Sequence, residues 1–167
     1  MAPNSVDLIA IGEAFHRLDQ RLIVEKALSW LKSGGYFATL GTEGILAGGE
    51  PWQQVTAEIA QRSIARALPT GWARGRVGAA LGPSAYERVL RNAGFTEVES
   101  RVFMEPRNWS FEEIVGYLHS TSVCSEKVLG IETEAFEADL RAALGAGEHT
   151  IFHETINCGY TIGRKAT

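Results

Sequence analysis

Glu13, Phe15 and His16 stand together just beyond Val6 to Ile11, an apolar run interrupted only by Asp7 and closed by Gly12. These side chains can do chemistry. A neutral imidazole can take a proton from a hydroxyl, an amine or a carbon acid near neutral pH, which makes His16 the candidate catalytic residue. Glu13 offers a carboxylate to an ammonium group, and a solvated loop carboxylate is the competing reading. Packing or capping of the loop is the competing reading for His16. Further along, Trp52, Trp72, Trp109 and Tyr117 could line a pocket, or serve as the buried side of amphipathic helices. His149 and His153 are spaced to share one face of a strand, but without a third ligand they predict no metal site. His119 reads as structural or as part of a pocket mouth.

The elements that must position these residues follow from periodicity. Val6 to Ile11 has the nearly unbroken apolarity of a strand buried on both faces, and open α/β sheets bind ligands in the loops at the carboxyl ends of such strands. Asp19 can cap a helix running to about Lys32, with Ile23, Ala27, Leu28 and Leu31 on one face and Gly34 ending it. Tyr36 to Leu40 then completes a right-handed β-α-β crossover and a parallel pair. After the glycine-rich stretch 41–49, Pro51 starts a helix to about Leu68 that buries Trp52, Val55 and Ile59. Residues 69–82 read as a loop or lid carrying Arg74 and Arg76.

Ser84 with Glu87 forms a capping box for a helix that presents Tyr86, Val89 and Leu90 and stops at Gly94. Thr96 to Met104 alternates on Val98, Val102 and Met104, as an edge or antiparallel strand does. Ser110 with Glu113 is a second capping box, flanked by Trp109 and Ile114 at the spacing of a hydrophobic staple, and its helix runs to about Ser120. Thr133 is expected to cap a helix bearing Phe136, Leu140 and Leu144 that Gly145 ends. Thr150 to Ile162 is a last strand, antiparallel, pairing with the strand before the two helices and alternating Phe152, Ile156, Cys158, Tyr160 and Ile162.

Composition bounds the reading. At 167 residues, 45% hydrophobic and 22% charged, the chain fits one ordinary folded domain. A net charge of -4 and a pI near 5.6 argue against a nucleic-acid backbone as main partner. No run approaches the ~20 apolar residues of a membrane span. Cys124 and Cys158 have no ligand spacing and are expected to be free thiols in a reducing cytoplasm.

The stretch VDLIAIGEAFHRLDQ, a helix, then LSWLKSGGYFATLG resembles the second half of the class I S-adenosylmethionine-dependent methyltransferases, in particular the group similar to trans-aconitate methyltransferase. The matching motifs are Asp7-Leu8-Ile9, Ala14-Phe15-His16 and Leu31-Lys32-Ser33-Gly34-Gly35, with Gly116 to Ser122 similar to a segment of the family's helical cap. The resemblance implies a partial Rossmann-like α/β fold: a mixed sheet with an antiparallel C-terminal strand, plus helical insertions or a cap at about 44–82 and 106–147. It implies a single, truncated domain over 1–167. It further implies S-adenosylmethionine as cofactor, contacted by Gly12, Glu13, Ala14 and Phe15, and a small-molecule acceptor contacted by Trp52, Arg74 and Tyr117. Arg74 and Arg76 would suit a carboxylate substrate.

The departures are as informative. The family's first strand leads into a G-x-G loop at the cofactor, and an acidic residue after its second strand takes the ribose hydroxyls. This chain has no G-x-G-x-x-G, and Arg17 replaces an aromatic found after the histidine in many relatives. Val6 to Ile11 corresponds to the family's fourth strand, so its edge should need a partner. The expected partner is a second copy of the chain, joined near Val6 to Ile11, or a separate N-terminal half. Two functions follow: a methyltransferase completed by another chain, or a non-catalytic dimerisation or binding module. A third reading is a shortened chain or displaced start, with Met1-Ala2-Pro3-Asn4 standing where upstream sequence belongs.

Overall fold

The computed structural model describes residues 1–68, 83–145, 147 and 150–167, without the side chains of Pro83 and Ser84. The expected loop or lid at 69–82 and the Ser84 half of the first capping box therefore lie outside the described residues. The chain divides into two units, one of 1–43, 80–105 and 157–167 and one of 44–79 and 106–156.

The first unit is built on a four-stranded mixed sheet in the order β1 (Val6–Gly12), β2 (Leu31–Thr42), β4 (Phe152–Arg164), β3 (Thr96–Trp109). β1 and β2 are parallel, as expected from the crossover, with Ile9 opposite Phe37 and Gly12 opposite Leu40. β4 runs antiparallel to β2, Leu40 facing Tyr160 and Thr42 facing Cys158. It is seated between β2 and β3, so it pairs on both sides and not with the preceding strand alone. Among the described residues β1 has one strand neighbour and is an edge.

Helices α1 (Gln20–Trp30) and α3 (Pro83–Ala93) cover one face of this sheet. Val24 and Ala27 from α1, Leu90 from α3, and Phe15, Leu31, Phe37, Phe95 and Val98 form its buried cluster. Side chains on a strand alternate between faces, so Leu8, Tyr36 and Leu40 lie opposite Phe37. They are 57%, 38% and 46% exposed, and among the described residues no helix of this unit covers them.

The α1 cap is as expected, with Asp19 accepting from the Leu22 N–H at 3.0 Å. Its end is not. The helix stops at Trp30 because Leu31 is already extended and pairs with Val6, which makes Leu31 the first residue of β2. The glycines expected to end the helix instead form a bulge: the register slips between Val6 and Leu8, and Gly34 takes a φ of +75°. A Cβ on Gly35 would stand 3.0 Å from the Asp7 and Lys32 carbonyl oxygens. β3 also runs past Met104, to Trp109. Its even positions are not all buried: Val98 is, while Val102 and Met104 are exposed because the buried cluster reaches only to Val98 on this edge strand.

The second unit is helical: α2 (Pro51–Ala67), α4 (Phe111–Ser120), the single-turn α5 (Glu126–Leu129) and α6 (Thr133–Leu144), joined by the end of β3 and the start of β4. Ser110 caps α4 as expected, accepting from the Glu113 N–H at 3.2 Å while Glu113 accepts from the Ser110 N–H at 2.8 Å. Trp109 and Ile114 are both buried in this unit's cluster, with Ile59, Ile64, Leu118, Phe136 and Leu140. Thr133 is not a cap. A 3-10 turn over Gly130–Glu132 leads directly into α6, so the Thr133 hydroxyl turns back and donates to the Gly130 carbonyl at 2.8 Å. Gly145 ends α6 in the left-handed conformation, as expected.

The buried side of α2 is more polar than its sequence suggests. Gln53, Thr56 and Ser63 are buried beside Ile59, Ala60 and Ile64, while Trp52 and Val55 pack at the margin. For Gln53 the reason is a carboxylate on β4. Glu154 is 7% exposed, and accepts from the Trp109 indole N–H at 2.6 Å and from the Gln53 amide. Gln53 in turn accepts from the Glu50 N–H at 3.0 Å. A buried carboxylate persists only when it is paired or hydrogen-bonded, and this one accounts for Gln53 alone: the Thr56 hydroxyl donates to the Trp52 carbonyl at 2.7 Å, and Ser63 Oγ meets no partner among the described residues.

Candidate functional site: a cleft at the carboxyl ends of β1 and β2

β1 leaves the sheet through Glu13, whose backbone takes a φ of +52°. For a residue with a Cβ that conformation costs roughly 1–2 kcal/mol. It is held by three bonds to β2: the Glu13 N–H donates to the Leu40 carbonyl at 3.0 Å, and carboxylate Oε1 accepts from the Thr42 N–H at 2.6 Å and the Thr42 hydroxyl at 2.9 Å. Bonds to a carboxylate are about twice as strong as neutral ones, so the side chain holds its own backbone in place. The second oxygen, Oε2, accepts no hydrogen bond among the described residues.

Glu13 borders an open cleft of about 250 Å³. It is lined by Gly12, Gly41, Gly159, Leu40, Phe103 and Tyr160, and Thr42 and Cys158 join Glu13 as its polar members. The Phe103 and Tyr160 rings are 6.0 Å apart between centroids, and the Tyr160 hydroxyl donates to Glu99 at 3.3 Å. This is the place at which α/β sheets bind ligands.

The residues singled out from the sequence divide around this cleft. Gly12 and Glu13 line it. Ala14 opens the one-turn helix Phe15–Arg17, and Phe15 is 2% exposed, its ring 5.6 Å from Phe37 and 5.1 Å from Tyr86. Phe15 thus anchors the loop in the core. His16 is exposed and, among the described residues, has no hydrogen-bond or ion-pair partner. Trp52 and Tyr117 belong to the helical unit: the Trp52 indole donates to the His153 carbonyl at 2.9 Å, and the Tyr117 ring stands 5.5 Å from Trp109. Trp72, Arg74, Arg76 and His149 lie outside the described residues. His153 meets Asn108 at 2.6 Å, and the two ring nitrogens of His119 meet the Cys124 carbonyl at 3.0 Å and Glu137 at 2.9 Å. Among the described residues no group of three or more His, Cys, Asp or Glu could hold a metal ion.

Sequence reasoning missed Thr42, Phe103, Cys158 and Tyr160, which reach the cleft from three strands. The available signal was Gly41-Thr42 directly after the second strand, a second carboxyl end beside the first. It also missed Glu154, which sits in phase with Phe152 and Ile156. Neither cysteine is in a disulfide; burial pushes the Cys124 thiol up to about 11, against a smaller opposing effect of its hydrogen bond with Thr121.

No family model matches the chain, and no curated protein matches it. Solved structures do. A structure described as a type II methyltransferase from Anaeromyxobacter dehalogenans is 21% identical, with a TM-score of 0.55, over 99% of this chain and 66% of its own. A methyltransferase from Bacillus halodurans is 13% identical, with a TM-score of 0.49, over 100% of this chain and 73% of its own. A phosphoethanolamine N-methyltransferase of Haemonchus contortus, in complex with S-adenosyl-L-methionine, is 15% identical, with a TM-score of 0.42, over 100% and 35%. The chain thus spans less than two thirds of the length of the first of these.

The fold is accordingly the mixed-sheet, Rossmann-like α/β fold of the methyltransferases. The likeness to the Anaeromyxobacter protein carries that statement. Among the described residues no helix is long and apolar enough to cross a membrane.

Proposed function

We propose that this chain is the acceptor-side part of an S-adenosylmethionine-dependent methyltransferase acting on a small molecule, with its cofactor site completed by a segment seated along β1. The observation that carries the reading is the cleft at the carboxyl ends of β1 and β2, within a methyltransferase-like sheet. At 250 Å³ the cleft falls below the ~300–1,000 Å³ of sites that enclose a drug-sized ligand. The chain also lacks the glycine-rich loop. The residues present therefore do not fit the whole cofactor, and no chemical step is routed through it.

What the chain's own residues supply is positioning. Methyl transfer is an in-line displacement at an activated group, so most of the catalysis comes from orientation. Glu13, tied to Thr42, fixes the mouth of the loop, and His16, exposed beside it, is the proposed base for an acceptor that loses a proton. The edge of β1 and the uncovered Leu8, Tyr36 and Leu40 support a strand-plus-helix partner, either a separate N-terminal half or a second copy. The free thiols suit a reducing, cytoplasmic setting.

The second reading is a non-catalytic binding module, favoured by the same edge and by the small cleft. Isothermal titration of the purified chain with S-adenosylhomocysteine, with the oligomeric mass measured on the same sample, separates the two. Saturable binding by an assembly larger than one chain supports the enzyme. An assembly that leaves S-adenosylhomocysteine unbound at millimolar ligand supports the module, and a monomer that binds nothing removes both the homodimer and the self-sufficient enzyme.

A further inference from the structure

The geometry points to the ligand class of this cleft: it takes the positively charged nitrogen of a small organic amine or quaternary ammonium compound. The inference deepens the acceptor side of the proposed function and rests on that reading for the word acceptor, but the cation site stands on its own observations.

Among the described residues the cleft is lined by one charged side chain, the Glu13 carboxylate. Glu13 Oε1 is consumed by the two bonds from Thr42, which orients the group, and Oε2 accepts nothing among the described residues. A Cβ built on Gly41 would stand 3.9 Å from that oxygen, so the glycine leaves the approach to it open. Two lining residues are aromatic. Phe103 is 49% exposed although it touches Tyr160, and Tyr160 is held by its bond to Glu99. Exposed rings beside a fixed carboxylate attract a cation twice, through the negative ring face and through the charge. Among the described residues no lining residue is basic. Arg101, the one basic residue between Thr96 and Glu105, is paired with Glu99 at 3.6 Å. Among the described residues nothing shields Glu13 from an anion, so this lining disfavours a carboxylate. The strained backbone of Glu13, maintained where a solvated loop residue would relax, accords with a residue kept for a ligand.

The test uses choline as probe and 3,3-dimethylbutan-1-ol, its uncharged carbon isostere, as control, each titrated into the 15N-labelled chain. Choline is expected to shift the amides of Gly12, Gly41, Thr42 and Gly159 saturably, and to bind about tenfold more tightly than the isostere. Sodium acetate is expected to leave those amides unmoved. Glu13→Gln, which keeps an oxygen for Thr42, and Phe103→Leu, at an exposed ring, are each expected to weaken choline about threefold. Equal affinity for choline and isostere, acetate binding in the cleft, or unchanged affinity in both variants overturns the inference.

S-adenosylhomocysteine has an uncharged sulfur but carries an α-ammonium of its own, so its competition with choline is what separates the cation site from the methyltransferase reading. A chain that binds choline but not S-adenosylhomocysteine keeps the cation site and loses the self-sufficient enzyme. Where both bind, choline retained in saturating S-adenosylhomocysteine assigns the cleft to the acceptor, and choline displaced by it overturns the acceptor assignment.

Discussion

Replacing Trp109 by Phe deletes one hydrogen bond to a buried carboxylate, and the structure sets the size of the effect. The indole N–H donates to Glu154 Oε1 at 2.6 Å, and Glu154 is 7% exposed with Gln53 as its other donor. Bonds to charged groups are worth about 1.5–3 kcal/mol, and the orphaned oxygen cannot recover that from water at this depth. Lost packing adds to it. A double-mutant cycle separates the two: Trp109→Phe, Glu154→Leu and the double variant, each unfolded in urea and followed by circular dichroism at 222 nm. The expected coupling is about 1.5–3 kcal/mol, the double variant being more stable than the sum of the singles predicts, because removing both partners leaves neither end of the Trp109–Glu154 bond unsatisfied, while the Gln53 amide loses its acceptor in Glu154→Leu and in the double variant alike and so cancels from the cycle. With urea slopes of about 1–3 kcal/mol/M, the Trp109→Phe midpoint falls by about 1 M. Additive effects within ~0.5 kcal/mol would refute the assignment of Glu154 as a charge held by Trp109.

Three further outcomes are expected. A thiol-specific reagent at pH 8 should modify Cys158, half-exposed in the cleft, and spare Cys124, whose burial and thiol value near 11 leave almost no thiolate; peptide mapping showing equal labelling in the native protein would contradict this. The Glu112 carboxyl is held below the usual carboxylate range first by its hydrogen bond with its own backbone N–H and then by Arg141, and that of Glu113 by its bonds with Ser110. Because both values are lowered in the folded state, their contribution is present above the ordinary carboxylate range and fades as pH falls through the lowered values. Melting temperature should therefore drop less between pH 6 and pH 3 in Glu112→Gln/Glu113→Gln than in the parent, and parallel curves would count against it. Gly163→Ala should cost about 1–3 kcal/mol by overpacking, since its Cβ would meet Phe95 at 3.0 Å, Val98 at 3.2 Å and Leu90 at 3.4 Å; an unchanged urea midpoint would show that the contact yields freely.

Local chemistry was readable and long-range chemistry was not. The Asp19 cap, the Ser110 and Glu113 box and the Gly145 stop depend on residues within a turn of each other, and each is found where its spacing places it. The parallel pairing of β1 with β2 followed from a strand, a helix and a strand in order. Leu31 continues the helical stripe of α1, yet its pairing with Val6 makes it strand. Gln53 gave no hint that it faces inward, because its partner Glu154 is distant in the chain. The cleft was half visible for the same reason. Gly12 and Glu13 announce one strand end, but Phe103 and Tyr160 arrive only once β4 is known to sit between β2 and β3.

That placement of β4 sets an order of events during biosynthesis. A ribosome makes β1, α1 and β2 first, then α2 and α3, then β3, then α4 to α6, and β4 only afterwards, although β4 is the strand that joins β2 to β3. Until it emerges, Leu40 and Thr42 lack the partners they later find in Tyr160 and Cys158, and the nascent sheet carries an open interior seam. Such distant pairings close slowly, and exposed seams are what holdase chaperones recognise and aggregation exploits. Nascent chains arrested before Phe152 should thus be protease-sensitive throughout the sheet, and gain protection in one step once Arg164 has cleared the exit tunnel.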